Sequence, residues 1–288
     1  MAAALLSGCS VDSVGSAFGG FGWPEHGISL QAHKMYDMWI AATIAALVVG
    51  VFVWGLIFWC IIRYAQAGDA LPVQTRFQHA ARGPVHGDPG ADRRGAVLLH
   101  TAIVQSDVDK LSAKPDMTVE VVGFKWNWQF NYRDAPGAEA KTVASTLGST
   151  DVIPLLVLPT GKKIRFEETS RDVIHSFWVP EMLFKRDVFP GNVRNSFEVT
   201  LDREGRYVGR CAELCGTYHA FMQFELVVVS PERFDQYLAA KRGGASTPDA
   251  MGAIGFTGDE RFAVTTRPFD SRRTGQSWNQ SGTVAAGK

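Results

Sequence analysis

Twelve consecutive residues, Cys211-Ala212-Glu213-Leu214-Cys215-Gly216-Thr217-Tyr218-His219-Ala220-Phe221-Met222, hold two thiols, one imidazole and one thioether. A second imidazole, His175, lies upstream between two strand-like runs. Soft sulfur with imidazole favours copper or zinc over hard cations. The thioether discriminates between them, because a weak axial Met belongs to copper electron-transfer sites and adds little to zinc. A mononuclear blue-copper site takes two His, one Cys and a Met, so this set has one Cys too many. Two bridging thiolates could hold two copper ions, each with one His as terminal ligand. Charge shared over both metals leaves little geometric change on reduction. Other readings stay open on residue types alone. Cys211 and Cys215 could form a disulfide in an oxidising compartment, which leaves His219 and Met222 unexplained. Two Cys and two His could hold tetrahedral zinc. His175 by itself could be a hydrogen-bonded core histidine.

The elements that must position these donors read as β-structure. Val119, Val121 and Val122 lead into Gly123-Phe124-Lys125-Trp126-Asn127-Trp128-Gln129-Phe130-Asn131-Tyr132. Trp126, Trp128, Phe130 and Tyr132 alternate at period two, as one face of a strand does. Short apolar runs follow at 152–158, 164–166, 174–179, 197–201, 207–211 and 221–229. Turn signals separate them, among them Pro159-Thr160-Gly161 and Pro190-Gly191-Asn192. Many short strands at this spacing predict a β-sandwich. Ser230-Pro231-Glu232 predicts a helix start, with Phe234, Tyr237 and Leu238 as its apolar stripe. From Gly243 onward the chain is polar and Gly/Ser/Thr-rich, which predicts a mostly irregular tail.

The chain has 288 residues, with 29 basic against 29 acidic and 46% hydrophobic residues. Zero net charge argues against a nucleic-acid binder, and the apolar fraction excludes disorder throughout. Mean hydropathy near zero excludes a mostly lipid-embedded protein but permits one or two spans. Residues 39–62 carry no charge, and at about 1.5 Å per residue they cross a hydrocarbon core. Trp39, Trp59 and Tyr64 sit where interfacial aromatics belong, and Cys60 lies inside the span. Leu6-Ser7-Gly8-Cys9 resembles a lipobox, in which the Cys becomes the lipidated N-terminus. The eight residues preceding Cys9 carry no basic residue and are shorter than a signal peptide. Residues 78–100 are rich in Gly, Pro, Arg, His and Ala without period, which reads at face value as a linker. No Cys-x-x-Cys-His occurs, so no c-type haem is attached.

The metal loop closely resembles the dinuclear copper signature of cytochrome c oxidase subunit 2, and the lipobox and long tail resemble those of its actinobacterial members. Residues 172–180, Asp-Val-Ile-His-Ser-Phe-Trp-Val-Pro, resemble the family's upstream His motif, and residues 123–132 its aromatic run. The resemblance implies a membrane-anchored, all-β protein with a cupredoxin-type Greek-key sandwich on the outer face of the cell membrane. It implies His175, Cys211, Cys215, His219 and Met222 as side-chain copper ligands and Glu213 as a backbone-carbonyl ligand. The Glu213 side chain would also reach a magnesium ion shared with the catalytic subunit. Trp126 matches the tryptophan through which electrons arrive from a c-type cytochrome. Implied partners are catalytic subunit 1, the other oxidase subunits and that cytochrome, held in a supercomplex; oxygen is reduced elsewhere. The rival from another class is a membrane-anchored copper carrier or storage protein. Phe124-Lys125 stands where the family often has His-Gln, and Arg171 where many members carry an acid.

The expected organisation is a lipobox segment at 1–35, transmembrane helix 1 at 36–64, a linker at 65–105, the cupredoxin domain at 106–242 and a polar tail at 243–288. The family has a second transmembrane helix within 65–105, its first turn carrying a Glu at a proton path. Arg82, Asp88, Asp92, Arg93 and Arg94 forbid such a helix as written. Permissive codons for 78–100 read one base later give a glutamate followed by an apolar run. That points to a pair of compensating frameshifts over a true second helix.

Overall fold

The structure is a computed structural model and describes residues 27–65, 68, 101–102, 104–137 and 139–265. The lipobox at Cys9 and the segment 78–100 lie outside the described residues. The chain forms two compact units, Met1–Trp23 with Met35–Ser106, and Pro24–Lys34 with Asp107–Lys288.

Helix α1, Leu30–Arg63, begins nine residues before the charge-free stretch. Ser29 caps it, its Oγ accepting from Ala32 N at 3.1 Å. It is long and apolar enough to cross a membrane, and none of its most apolar stretch is buried against protein. The first turn belongs with the β unit. Ile28 N donates to Glu181 O at 2.9 Å, Asp202 N to Ile28 O at 3.1 Å, and Thr200 N to the Gln31 amide oxygen at 3.1 Å.

Among the described residues, ten strands make two five-stranded sheets. The first has the order β3 (Thr142–Leu147), β2 (Asn127–Arg133), β1 (Met117–Phe124), β5 (Lys163–Ser170), β8 (Asn195–Thr200). The second runs β4 (Leu155–Pro159), β10 (Gln223–Val229), β9 (Gly205–Cys211), β6 (His175–Val179), β7 (Phe184–Val188). The pairs β1/β5 and β4/β10 are parallel and the others antiparallel. Inner faces meet in an aromatic core. Phe177 stacks on Phe224 with centroids 4.9 Å apart, and Phe166 on Phe197 at 4.9 Å. Each such ring contributes roughly 1.5–3 kcal/mol by leaving water. Tyr132 stitches the sheets together: its hydroxyl donates to Val157 O and accepts from Val157 N, both at 3.0 Å.

The sandwich follows the predicted pattern, with four differences. Trp128, Phe130 and Tyr132 do form one buried face, but Trp126 lies in the turn between β1 and β2 and is half-buried. The run 152–158 becomes a strand only from Leu155, because Ser149 and Val152 close a turn before Pro154. β3 and β7 are additional strands; Phe184-Lys185-Arg186-Asp187-Val188 carries too much charge to read as one. Among the described residues after Gly243, 247–253 are helical rather than irregular. Helix α2, Pro231–Arg242, is followed by α3, Thr247–Ala253, whose Ser246 cap accepts from Asp249 N. Ala250, Met251 and Ile254 are buried.

Candidate metal centre

β9 and β10 are antiparallel neighbours, and the metal loop is the excursion between them. Cys211 N donates to Met222 O at 3.0 Å, closing the base of the loop, and Ala212 N to Ser176 O at 3.0 Å ties it to β6. Cys211 therefore ends β9, Met222 stands immediately before β10, and His175 opens β6. A short 3-10 turn, His219–Phe221, carries the second imidazole.

These positions converge. The Cys211 and Cys215 sulfurs are 3.8 Å apart and unbonded to each other, so no disulfide joins them. His175 Nδ1 lies 3.8 Å from the Cys211 sulfur, and His219 Nδ1 lies 3.6 Å from the Cys215 sulfur. Met222 Sδ is 3.8 Å from Cys215 Sγ, and Cys211 Sγ donates to the Glu213 carbonyl at 3.2 Å. Every sequence-predicted ligand is thus in one cluster, and each cysteine has its own histidine. His175 and Met222 are fully buried, with Cys211 and Cys215 nearly so. Burial and the Cys211 thiol push the Cys215 thiol up to about 12. The Cys215 thiol stays protonated unless a cation replaces its proton, which is the behaviour of a metal site. Burial also lowers the His175 pKa against the pull of Asp172, keeping a neutral imidazole available as a ligand.

Trp126 reaches the cluster from outside. Its indole N–H donates to Cys215 O at 3.1 Å, and its ring meets Tyr218 edge-on at 4.8 Å. Gly216 has φ +117°, and a Cβ there would come within 3.3 Å of the indole. Glycine lets the loop turn against Trp126. Trp126 also lines a cavity of about 360 Å³ with Phe124, Lys125, Tyr218 and Phe221. Sequence reasoning assigned no role to Asp172, yet its Oδ1 lies 2.8 Å from His175 Nε2. Its position three residues before a ligand His, on a turn, was the available signal.

A cupredoxin-like sandwich with a soft-donor loop defines the class. A family model described as the periplasmic domain of cytochrome c oxidase subunit II matches residues 117–230. A Nocardia farcinica protein named "Probable cytochrome c oxidase subunit 2" is 38% identical, over 96% of this chain and 87% of its own. That alignment runs over 334 positions, more than the 288 residues of this chain. The relative therefore carries internal residues that this chain lacks. Cytochrome c oxidase subunit 2 of Mycobacterium tuberculosis is 36% identical, over 94% of this chain and 86% of its own. The crystallised periplasmic domain of subunit II of cytochrome oxidase from Bradyrhizobium japonicum is 29% identical. It covers 47% of this chain and 100% of its own, with a TM-score of 0.40.

The chain belongs to the cytochrome c oxidase subunit 2 family. It is thus a subunit of cytochrome c oxidase.

Proposed function

We propose that His175, Cys211, the Glu213 carbonyl, Cys215, His219 and Met222 together would hold two copper ions. The supporting observation is how the donors are distributed. In tetrahedral zinc bound by two Cys and two His, all four donor atoms lie within about 4 Å of one another. Here the mutually close group is His175, Cys211 and Cys215, within 4.8 Å, and His219 is outside it. One histidine on each side of a thiol pair suits two ions better than one. Bound copper would supply a one-electron couple, by which the subunit takes electrons from a c-type cytochrome for haem in the catalytic subunit. Trp126, half-exposed and hydrogen-bonded to Cys215 O, receives them at the surface. The Glu213 side chain shares a magnesium ion with the catalytic subunit, and the cytochrome is held in a supercomplex. An electron paramagnetic resonance spectrum of the copper-loaded full chain tests the centre. One unpaired electron delocalised over two coppers is expected; a mononuclear copper spectrum or bound zinc would refute it.

We further propose that the β unit lies on the outer face and that the chain crosses the membrane twice. The β unit is left at Lys34 and rejoined at Asp107, and the two side chains form an ion pair at 2.8 Å. Within the other unit, Thr101 Oγ1 lies 3.8 Å from Met38 Sδ. The chain thus comes back to where α1 began. If α1 spans the bilayer, a second crossing belongs between them, where the written sequence has five charges in 78–100. A frameshifted stretch over a true second helix reconciles the two. Resequencing the gene tests this: an apolar frame is expected, and the written frame confirmed in a working oxidase would overturn it.

A further inference from the structure

Asp172 stands at a junction that the ligand set does not explain. One carboxylate oxygen, Oδ1, is 2.8 Å from His175 Nε2 and accepts from Val173 N at 2.7 Å. The other, Oδ2, accepts from Lys125 N at 2.7 Å. Lys125 precedes Trp126 in the β1–β2 turn, so one carboxylate grips both the metal-facing imidazole and the turn that carries the indole. The neighbours complete the clamp. Arg171 N donates to Gly123 O at 3.0 Å, which fastens the Asp172 turn to the end of β1. Gly123 lies close to the imidazole, where an added Cβ would come within 3.0 Å of His175 Cδ2. The indole then reaches the opposite side of the cluster through Cys215 O.

We infer that Asp172 is a positioning residue that fixes the His175 tautomer and, through Lys125 N, holds the Trp126 turn in register with the metal cluster. The chemistry follows from the acceptor inventory. A carboxylate only accepts hydrogen bonds, so the proton on His175 must sit on Nε2. The lone pair is then on Nδ1, the nitrogen that faces Cys211 Sγ. Partners of this kind orient metal-binding histidines generally, and their loss typically lowers metal affinity 10–100-fold. The Lys125 contact adds a second consequence. Without Asp172 that backbone N–H loses its acceptor, and the turn loses its register with the loop.

This inference rests on the proposed copper site for its second half only. Its first half is read without copper. The metal-free full chain, labelled with ¹⁵N-histidine in detergent at pH 8, should give His175 as a single Nε2–H tautomer. An Nδ1–H tautomer in the unmutated protein would overturn the inference whether or not any variant folds. Asp172→Ala should give mixed tautomers, weaken copper binding about 10–100-fold, and slow reduction by cytochrome c. Small-molecule reductants should still reduce the copper that binds. An Asp172→Ala protein with the wild-type tautomer and spectrum would also overturn it. Failure to see a dinuclear signal in a wild type with the expected tautomer would count against the copper reading alone.

Discussion

The β9–β10 pair buries two polar clusters and finishes them differently. Three residues beyond Met222, opposite Val208, Glu225 is fully buried, and both oxygens of its carboxylate are taken. It accepts from Arg206 Nε at 2.5 Å, Val264 N at 2.8 Å and Thr265 N at 2.6 Å. Arg206 in turn donates to Glu260 O at 2.7 Å and lies 5.3 Å over the Phe256 ring. Where the same strands run into the loop, Cys211, Cys215 and Met222 are as deeply buried. Their sulfurs meet only one another, imidazole nitrogens and one carbonyl, at 3.2–3.8 Å. Burial demands compensation for polar groups. At Glu225 the chain supplies it in full, and the result is structure. At the loop it supplies donors that converge on a point and leaves the charge to a cation.

That contrast can be broken at either end. Cys215→Ser should abolish the dinuclear signal completely by removing one of the two thiolates, while the metal-free protein unfolds at nearly the wild-type temperature. Electron paramagnetic resonance and circular dichroism read the two halves of that statement. Glu225→Ala should do the reverse. It takes the carboxylate from a half-buried Arg206 and should cost about 1.5–3 kcal/mol of stability, measured by urea unfolding, with the copper spectrum retained in the folded fraction. Trp126→Ala should spare both clusters and slow only reduction by the cytochrome, read by stopped flow. An unchanged rate would remove Trp126 from the electron path.

A third buried group sharpens the comparison because it is finished in neither way. Glu168 is fully buried, and neither of its carboxyl oxygens has a hydrogen-bond partner. Burial raises its pKa well above the usual carboxylate range, against the nearby Arg186. The folded acid is therefore neutral where the unfolded one ionises. Its contribution to stability is fully present below about pH 4.5 and is lost as pH rises toward the folded pKa. Glu168→Gln should flatten that slope and raise Tm at pH 8 by roughly 2–4 °C. Thermal scans at pH 5 and pH 8 check it; an unchanged pH dependence would remove Glu168 as its source.

The metal loop was legible in the sequence because its donors are local: two thiols, an imidazole and a thioether on one hairpin excursion. His175 was legible as a candidate, but its place beside Cys211 depends on β6 lying next to β9, which no local pattern encodes. The alternating aromatics predicted the core face through Trp128, Phe130 and Tyr132. They misplaced Trp126, because the hairpin turns before Asn127 and releases that side chain from the face. The Glu225 clamp was illegible. Its partners Val264 and Thr265 are about forty residues away, in a segment whose polar composition predicts no structure. The same holds for β7, where one charge is met by a partner far along the chain. Arg186 pairs with Asp109.

The ion pair between Lys34 and Asp107 has a consequence for making the protein. The two points at which the β unit is cut lie side by side. A turn of a few residues joining Lys34 to Asp107 would close a short loop in place of a long one, at lower entropic cost. Such a shortened chain keeps the Ser29–Leu201 bridge and both sheets. It would carry the copper loop into water without detergent, as a single continuous polypeptide.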